Sequence, residues 1–159
     1  MTPTVLFVCT GNLCRSPMAE ALLRARLARE EARKDWRVGS AGVWTTDGRP
    51  ASAHAIEEMA RRGIDLRAHR SRNVTTQLMA EAHLVLAMTR QHVEALNAAF
   101  PDHAHKVALL SEMVGQTYDI RDPYGGTRLE YKYTARELEQ LVEDGYERIM
   151  ARVEEAATC

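Results

Sequence analysis

The run Val5 to Cys9 (VLFVC) constrains the fold more than any other stretch. It is short, apolar and β-branched, with no polar residue at every second position. Such a run reads as a strand covered on both faces, the pattern of a parallel sheet. The loop Thr10 to Arg15 (TGNLCR) follows at once, and Ser16-Pro17 then reads as a helix start, serine as N-cap and proline at the first helical position. A buried strand passing through a tight loop into a helix is the opening of an α/β fold.

The remaining pattern continues that alternation. MAEALLRARLAREEAR is expected to run on as a helix, with Met18, Leu22, Leu23, Ala25 and Leu27 on its apolar side and LAREEARKD as a solvated helix face. Trp36 to Ala41 reads as a second strand and residues 42–50 as a loop. AHAIEEMARRG reads as a helix stopped by Gly63. Thr75 or Thr76 caps a short helix through Ala80, and His83 to Met88 is a third strand. Thr89 opens the helix RQHVEALNAAF, which Pro101 ends, and Lys106 to Leu110 is the fourth strand. A loop from Ser111 to about Lys132 leads to a last helix near Thr134, striped by Leu138, Leu141, Val142, Ile149 and Val153. The expected fold is α/β, a Rossmann-like four-stranded parallel sheet with helices on both faces. The 159 residues suffice for one such domain over 1–159 and show no internal repeat.

Charge and cysteine usage exclude several classes of partner. The formal net charge is −1, from 21 basic and 22 acidic residues, so no electrostatic footprint for nucleic acid or an anionic membrane exists. An anion site, if present, has to be local. The N-terminus has no basic segment before its short apolar run and reads as neither signal peptide nor membrane span. Three cysteines are too few for a secreted disulfide scaffold, which points to a reducing, cytoplasmic setting.

Two of those cysteines, Cys9 and Cys14, share the first loop with Arg15. A structural disulfide between them would close a tiny loop and add little. A metal site needs three or four ligands, but the third cysteine is Cys159 and no histidine cluster at ligand spacing accompanies the pair. A nucleophile beside an anion clamp uses every part. Ligands of open α/β sheets sit at the carboxyl ends of strands, where Cys9 stands, and a helix N-terminus presents unpaired amides to an anion. Arg15 adds a planar fork that matches two phosphate oxygens. Both favour the thiolate, Ser16 can donate to it, and Gly11 and Asn12 suit the positive-φ positions of a tight cradle.

The full motif V-C-x-G-N-x-C-R-S-P, Val8 to Pro17, resembles the signature loop of the low-molecular-weight protein tyrosine phosphatases. SAG at 40–42, GIDLRAHRSR at 63–72, LVLAMT at 84–89 and DPYGG at 122–126 resemble bacterial members in the same order, so the resemblance covers essentially the whole chain. It implies the four-stranded parallel sheet already expected. It also implies a phosphorylated protein or peptide as substrate, with no metal and no organic cofactor. Cys9 would attack phosphorus to give a phosphocysteine, while Arg15 and the loop Thr10, Gly11, Asn12, Leu13, Cys14 and Ser16 hold the phosphoryl oxygens, as they would hold inorganic phosphate or sulfate. Asp122, which alone would be an ordinary Asp-Pro turn, matches the family's general acid. Asn12, Ser40 and His69 match positions that brace the loop, and Cys14 matches one that forms a reversible disulfide with Cys9.

The walls bear on the substrate. Tyr124 is placed to flank a flat group, and Trp44 is either a rim residue or a partly buried loop anchor. Asp119 is either a solvated carboxylate or a partner for Asp122 or a cationic substrate. Relatives that hydrolyse phosphoarginine have threonine where this chain has Leu13, and leucine offers an apolar wall suited to an aromatic ring. Phosphotyrosine is the expected substrate and phosphoarginine the alternative, since VLAMTRQH and DPYGG resemble the phosphoarginine branch. An arsenate reductase would need further relay cysteines, and a non-catalytic phosphopeptide-binding module would be expected to have lost Cys9, Arg15 or Asp122.

Overall fold

The structure, a computed structural model, describes residues 2–158. Cys159 lies outside them. Four strands form one parallel sheet in the order β2-β1-β3-β4: β1 Thr4–Cys9, β2 Arg37–Gly42, β3 Leu84–Ala87 and β4 Val107–Leu109. Five α-helices alternate with them: α1 Arg15–Leu27, α2 Ala53–Ala60, α3 Thr76–Glu81, α4 Arg90–Ala99 and α5 Arg128–Ala157. The apolar run of β1 has a direct explanation. Val5, Phe7 and Cys9 join the core shared with α1, α2 and α5, whereas Leu6 and Val8 join a second core under α3 and α4. A strand between two cores has no polar face to show. Among the described residues no helix is long and apolar enough to cross a membrane.

Three expectations need correction. Ser16 is not the N-cap of α1. The helix begins at Arg15 with Cys14 at the cap position and no side-chain cap, because the Ser16 hydroxyl is turned toward Cys9. Second, α1 stops at Leu27, its last core residue, so Ala25 is exposed and LAREEARKD is not a helix face. The chain turns back through a short 3-10 segment, Glu31–Arg33, where Arg33 pairs with Glu30 at 2.9 Å and Glu154 at 2.7 Å. Third, α5 begins six residues before Thr134, at Arg128. Thr127 and Glu130 form a reciprocal cap, each side chain accepting from the other's backbone N–H, at 3.2 and 3.1 Å.

β1 and β2 end together, Cys9 opposite Gly42. The backbone beyond them stays in contact: Val43 N–H donates to Cys9 O at 3.0 Å and Trp44 N–H to Thr10 O at 3.1 Å. This close approach requires glycine at 42, since a Cβ there would sit 2.5 Å from the Thr10 carbonyl oxygen. Backbone cannot yield as a flexible side chain does. Gly42→Ala is therefore expected to cost about 1–3 kcal/mol in urea unfolding through displacement of the Thr10 backbone.

Candidate active site

The loop between β1 and α1 is organised around Asn12. Its side chain is fully buried and its backbone is left-handed, with φ 57°. The expectation of a positive φ holds for Asn12 and not for Gly11. Asparagine tolerates this region better than most residues when its amide is bonded, and here every polar group of the residue is used. Nδ2 donates to Ser16 Oγ at 2.8 Å and to Ser40 Oγ at 2.9 Å. Oδ1 accepts from Arg72 N–H at 3.1 Å, and the carbonyl accepts from His69 Nε2 at 2.7 Å. The Asn12 N–H points at Cys9 Sγ, 3.3 Å away. The Ser40 hydroxyl in turn donates to Glu20 Oε1 at 2.6 Å. The residues expected to brace the loop thus meet on one side chain and its backbone.

Cys9 Sγ also lies 2.9 Å from Ser16 Oγ. That hydroxyl already accepts from Asn12, which leaves its proton to point at sulfur. The Asn12 N–H and the Ser16 hydroxyl thus converge on one sulfur. The N–H groups of Gly11, Leu13 and Cys14 donate to no acceptor among the described residues, and they lie beside the N-terminus of α1. Arg15 is buried beneath them. One of its terminal nitrogens donates to Ile120 O at 2.8 Å, the other lies 3.4 Å from Asp122 Oδ2, and its buried Nε has no protein partner. A buried, partnerless guanidinium N–H beside unpaired amides defines an anion cradle.

Asp122 serves two purposes. Oδ1 accepts from Tyr124 N–H at 3.0 Å, the turn expected of Asp-Pro, while Oδ2 faces Arg15. Cys9, Arg15 and Asp122 border one cavity of about 230 Å³ together with Thr10, Gly11, Leu13, Cys14, Trp44, Arg49 and Tyr124. Trp44 is 83% exposed, which removes the loop-anchor reading, and Tyr124 is 56% exposed. Asp119 does not border the cavity. Its carboxylate accepts from Arg90 N–H at 2.9 Å, at the start of α4, which agrees with the alternative of a solvated loop carboxylate. Roomier grooves lie elsewhere, one of about 590 Å³ lined by Ser40 and His69 and one lined by Tyr118 and Glu137, but Cys9 borders neither.

Several neighbours were not singled out by the sequence reading. Cys14 Sγ lies 3.1 Å from Tyr131 OH and 3.3 Å from Ser52 Oγ. Burial pushes the Cys14 thiol up, with both hydrogen bonds opposing, so Cys14 is held as a neutral thiol. Burial also pushes the Tyr131 phenol up. Arg49 is an exposed cation at the cavity rim. His92 is buried on α4 with Nε2 2.8 Å from Thr10 Oγ1. Its only local signal was a position three residues after the Thr89 cap.

A family model described as "Low molecular weight phosphotyrosine protein phosphatase" matches residues 4–157. The chain belongs to this family. It is similar to a protein-arginine-phosphatase of Bacillus subtilis, 44% identical over 87% of this chain and 91% of the relative. It is also similar to the low molecular weight protein-tyrosine-phosphatase Etp of Escherichia coli, 33% identical over 92% and 94%. Among solved structures, the YwlE mutant from Bacillus subtilis superposes with TM-score 0.86 at 40% identity, covering 92% of this chain and 98% of that one. A further YwlE arginine phosphatase structure, a cysteine-to-serine mutant with phosphorylated active site serine, gives TM-score 0.87 at 39% identity over 96% and 99%. The chain is accordingly a cysteine-dependent phosphatase, and the family acts on phosphorylated proteins.

Two consequences can be measured. Asn12→Ala removes three buried side-chain hydrogen bonds and leaves alanine at positive φ. It is expected to cost about 3 kcal/mol or more in urea unfolding, against about 1 kcal/mol for Ser40→Ala. His92 carries the second. Burial pulls its pKa from 6.5 down to about 4, with Arg15 adding to the shift and Asp122 and Asp119 opposing it. The unfolded chain therefore takes up this proton first. The stability from neutral His92 is complete above about pH 6.5 and is lost as pH falls toward 4, by about 3 kcal/mol in all. His92→Gln is expected to flatten that part of the urea-midpoint profile.

Proposed function

We propose that this phosphatase hydrolyses phosphotyrosine in proteins or peptides through a phosphocysteine on Cys9. The observation carrying the reading is the cavity wall: Leu13, Trp44 and Tyr124 surround the approach to a thiol-bearing anion loop. An aromatic ring fits between apolar and aromatic walls, and its phosphate reaches the unpaired amides and Arg15 below. In the first step the Cys9 thiolate bonds to phosphorus, the bond from phosphorus to the tyrosine oxygen breaks, and Asp122 protonates that oxygen. In the second, Asp122 takes a proton from water, whose oxygen bonds to phosphorus. The sulfur–phosphorus bond then breaks, phosphate leaves and Ser16 receives the restored thiolate as donor.

Further roles follow from the same site. Inorganic phosphate or sulfate competes for the loop. The net charge of −1 supports no nucleic-acid or membrane partner. Cys9 and Cys14 are both free, which supports work in the reducing cytoplasm. A peroxide that oxidises Cys9 to the sulfenic acid would allow Cys14 to displace water and form a protective disulfide.

Phosphoarginine is the second reading, favoured by the 44% identity to a protein-arginine-phosphatase. The test is kcat/KM on matched phosphotyrosine and phosphoarginine peptides, with Cys9→Ala as the blank. Preference for phosphotyrosine by at least about tenfold is expected, and Leu13→Thr should cut that preference by about tenfold. Preference for phosphoarginine in the unaltered enzyme overturns the aromatic-wall reading. Wild-type turnover equal to the blank overturns the phosphatase assignment itself.

A further inference from the structure

Thr10 follows the nucleophile directly, and its hydroxyl is tied to a residue 82 positions away. His92 stands in the first turn of α4, where it completes a reciprocal cap with Thr89. Thr89 N–H donates to His92 Nδ1 at 3.2 Å, and Thr89 Oγ1 lies 3.0 Å from the same nitrogen. An N–H cannot donate to a nitrogen that carries its own proton. The neutral ring therefore carries its hydrogen on Nε2 and donates it to Thr10 Oγ1 at 2.8 Å. The Thr10 hydroxyl accepts from His92, and its own proton has no acceptor among the described residues. Thr10 borders the cavity beside Cys9.

We infer that His92 is a positioning residue, which turns the Thr10 O–H into a further donor to the phosphoryl group held at Cys9. The Thr89 cap sets the imidazole tautomer. The imidazole sets the rotor of the hydroxyl, and the hydroxyl adds one oriented dipole to the ring of loop amides. Burial keeps the imidazole neutral through the working range, so the donor does not switch with pH. Protonation would also set a second cation near Arg15, partly offset by Asp122 and Asp119. The inference rests on phosphoryl binding at Cys9, which can be read without turnover.

The experiment measures the Kd of inorganic phosphate by calorimetry and kcat/KM for an aryl phosphate on Thr10 and His92 variants. Thr10→Val and His92→Ala are each expected to weaken phosphate binding and kcat/KM by about tenfold. Thr10→Ser should retain both. His92→Gln, whose side-chain amide replaces the Nε2–H donor, should come within about threefold of wild type. The double variant Thr10→Val/His92→Ala should be no worse than Thr10→Val alone. Additive losses, or a His92→Gln as impaired as His92→Ala, overturn the proposal. Should His92→Ala not fold, nitrogen NMR of the intact protein decides: a proton on Nε2 is expected, and one on Nδ1 overturns it. Phosphate binding that follows this pattern in a protein without turnover would leave this inference standing and defeat the catalytic reading alone.

Discussion

The site depends on one buried asparagine held in a left-handed conformation. Asn12 takes the loop through a turn that directs amides inward, and its side chain draws Ser16, Ser40 and the backbone of Arg72 to the same point. His69 holds its carbonyl. Because these partners come from α1, from β2 and from the segment before α3, the loop is only as well placed as the packing between them. The sheet provides that packing, with β1 buried between two cores and β2 alongside it. Fold and chemistry meet at a single side chain whose donors and acceptors are all engaged.

A nearly neutral protein builds an anion site from local dipoles more than from net charge. Unpaired amides, the start of α1 and the buried Arg15 act over a few ångströms, as donors fixed in place by the fold. Asp122 offsets part of the Arg15 charge from the half-exposed side of the cavity. Cys14, close to Cys9 in sequence, stays a neutral thiol because burial outweighs the opposing hydrogen bonds from Ser52 and Tyr131.

Much of this was legible because it is local. VLFVC, the loop and Ser16-Pro17 put nucleophile, cradle and helix start within thirteen consecutive positions, 5–17. The Asp-Pro pair marked the turn at Asp122, and the resemblance alone suggested an acid there. What stayed hidden depends on partners distant in sequence. Asn12 meets Arg72 across 60 positions and Thr10 meets His92 across 82, whereas Ser40 and His69 were named as braces only through the family resemblance. No periodicity encodes such meetings. The early end of α1 was concealed by good helix formers after Leu27, where loss of a core to pack against outweighs propensity. The start of α5, by contrast, was readable: Thr127 and Glu130 have the spacing of a reciprocal cap.

On the proposed mechanism, Cys9 carries the phosphoryl group between two chemical steps. The most direct measurement is acid quenching during turnover of a radiolabelled phosphotyrosine peptide, followed by mapping of the labelled protein. The account predicts label on the peptide containing Cys9, formed and lost at rates that support turnover, and absent in Cys9→Ala. Label on Cys14 or a histidine, or steady turnover with no labelled protein at any time, would contradict it.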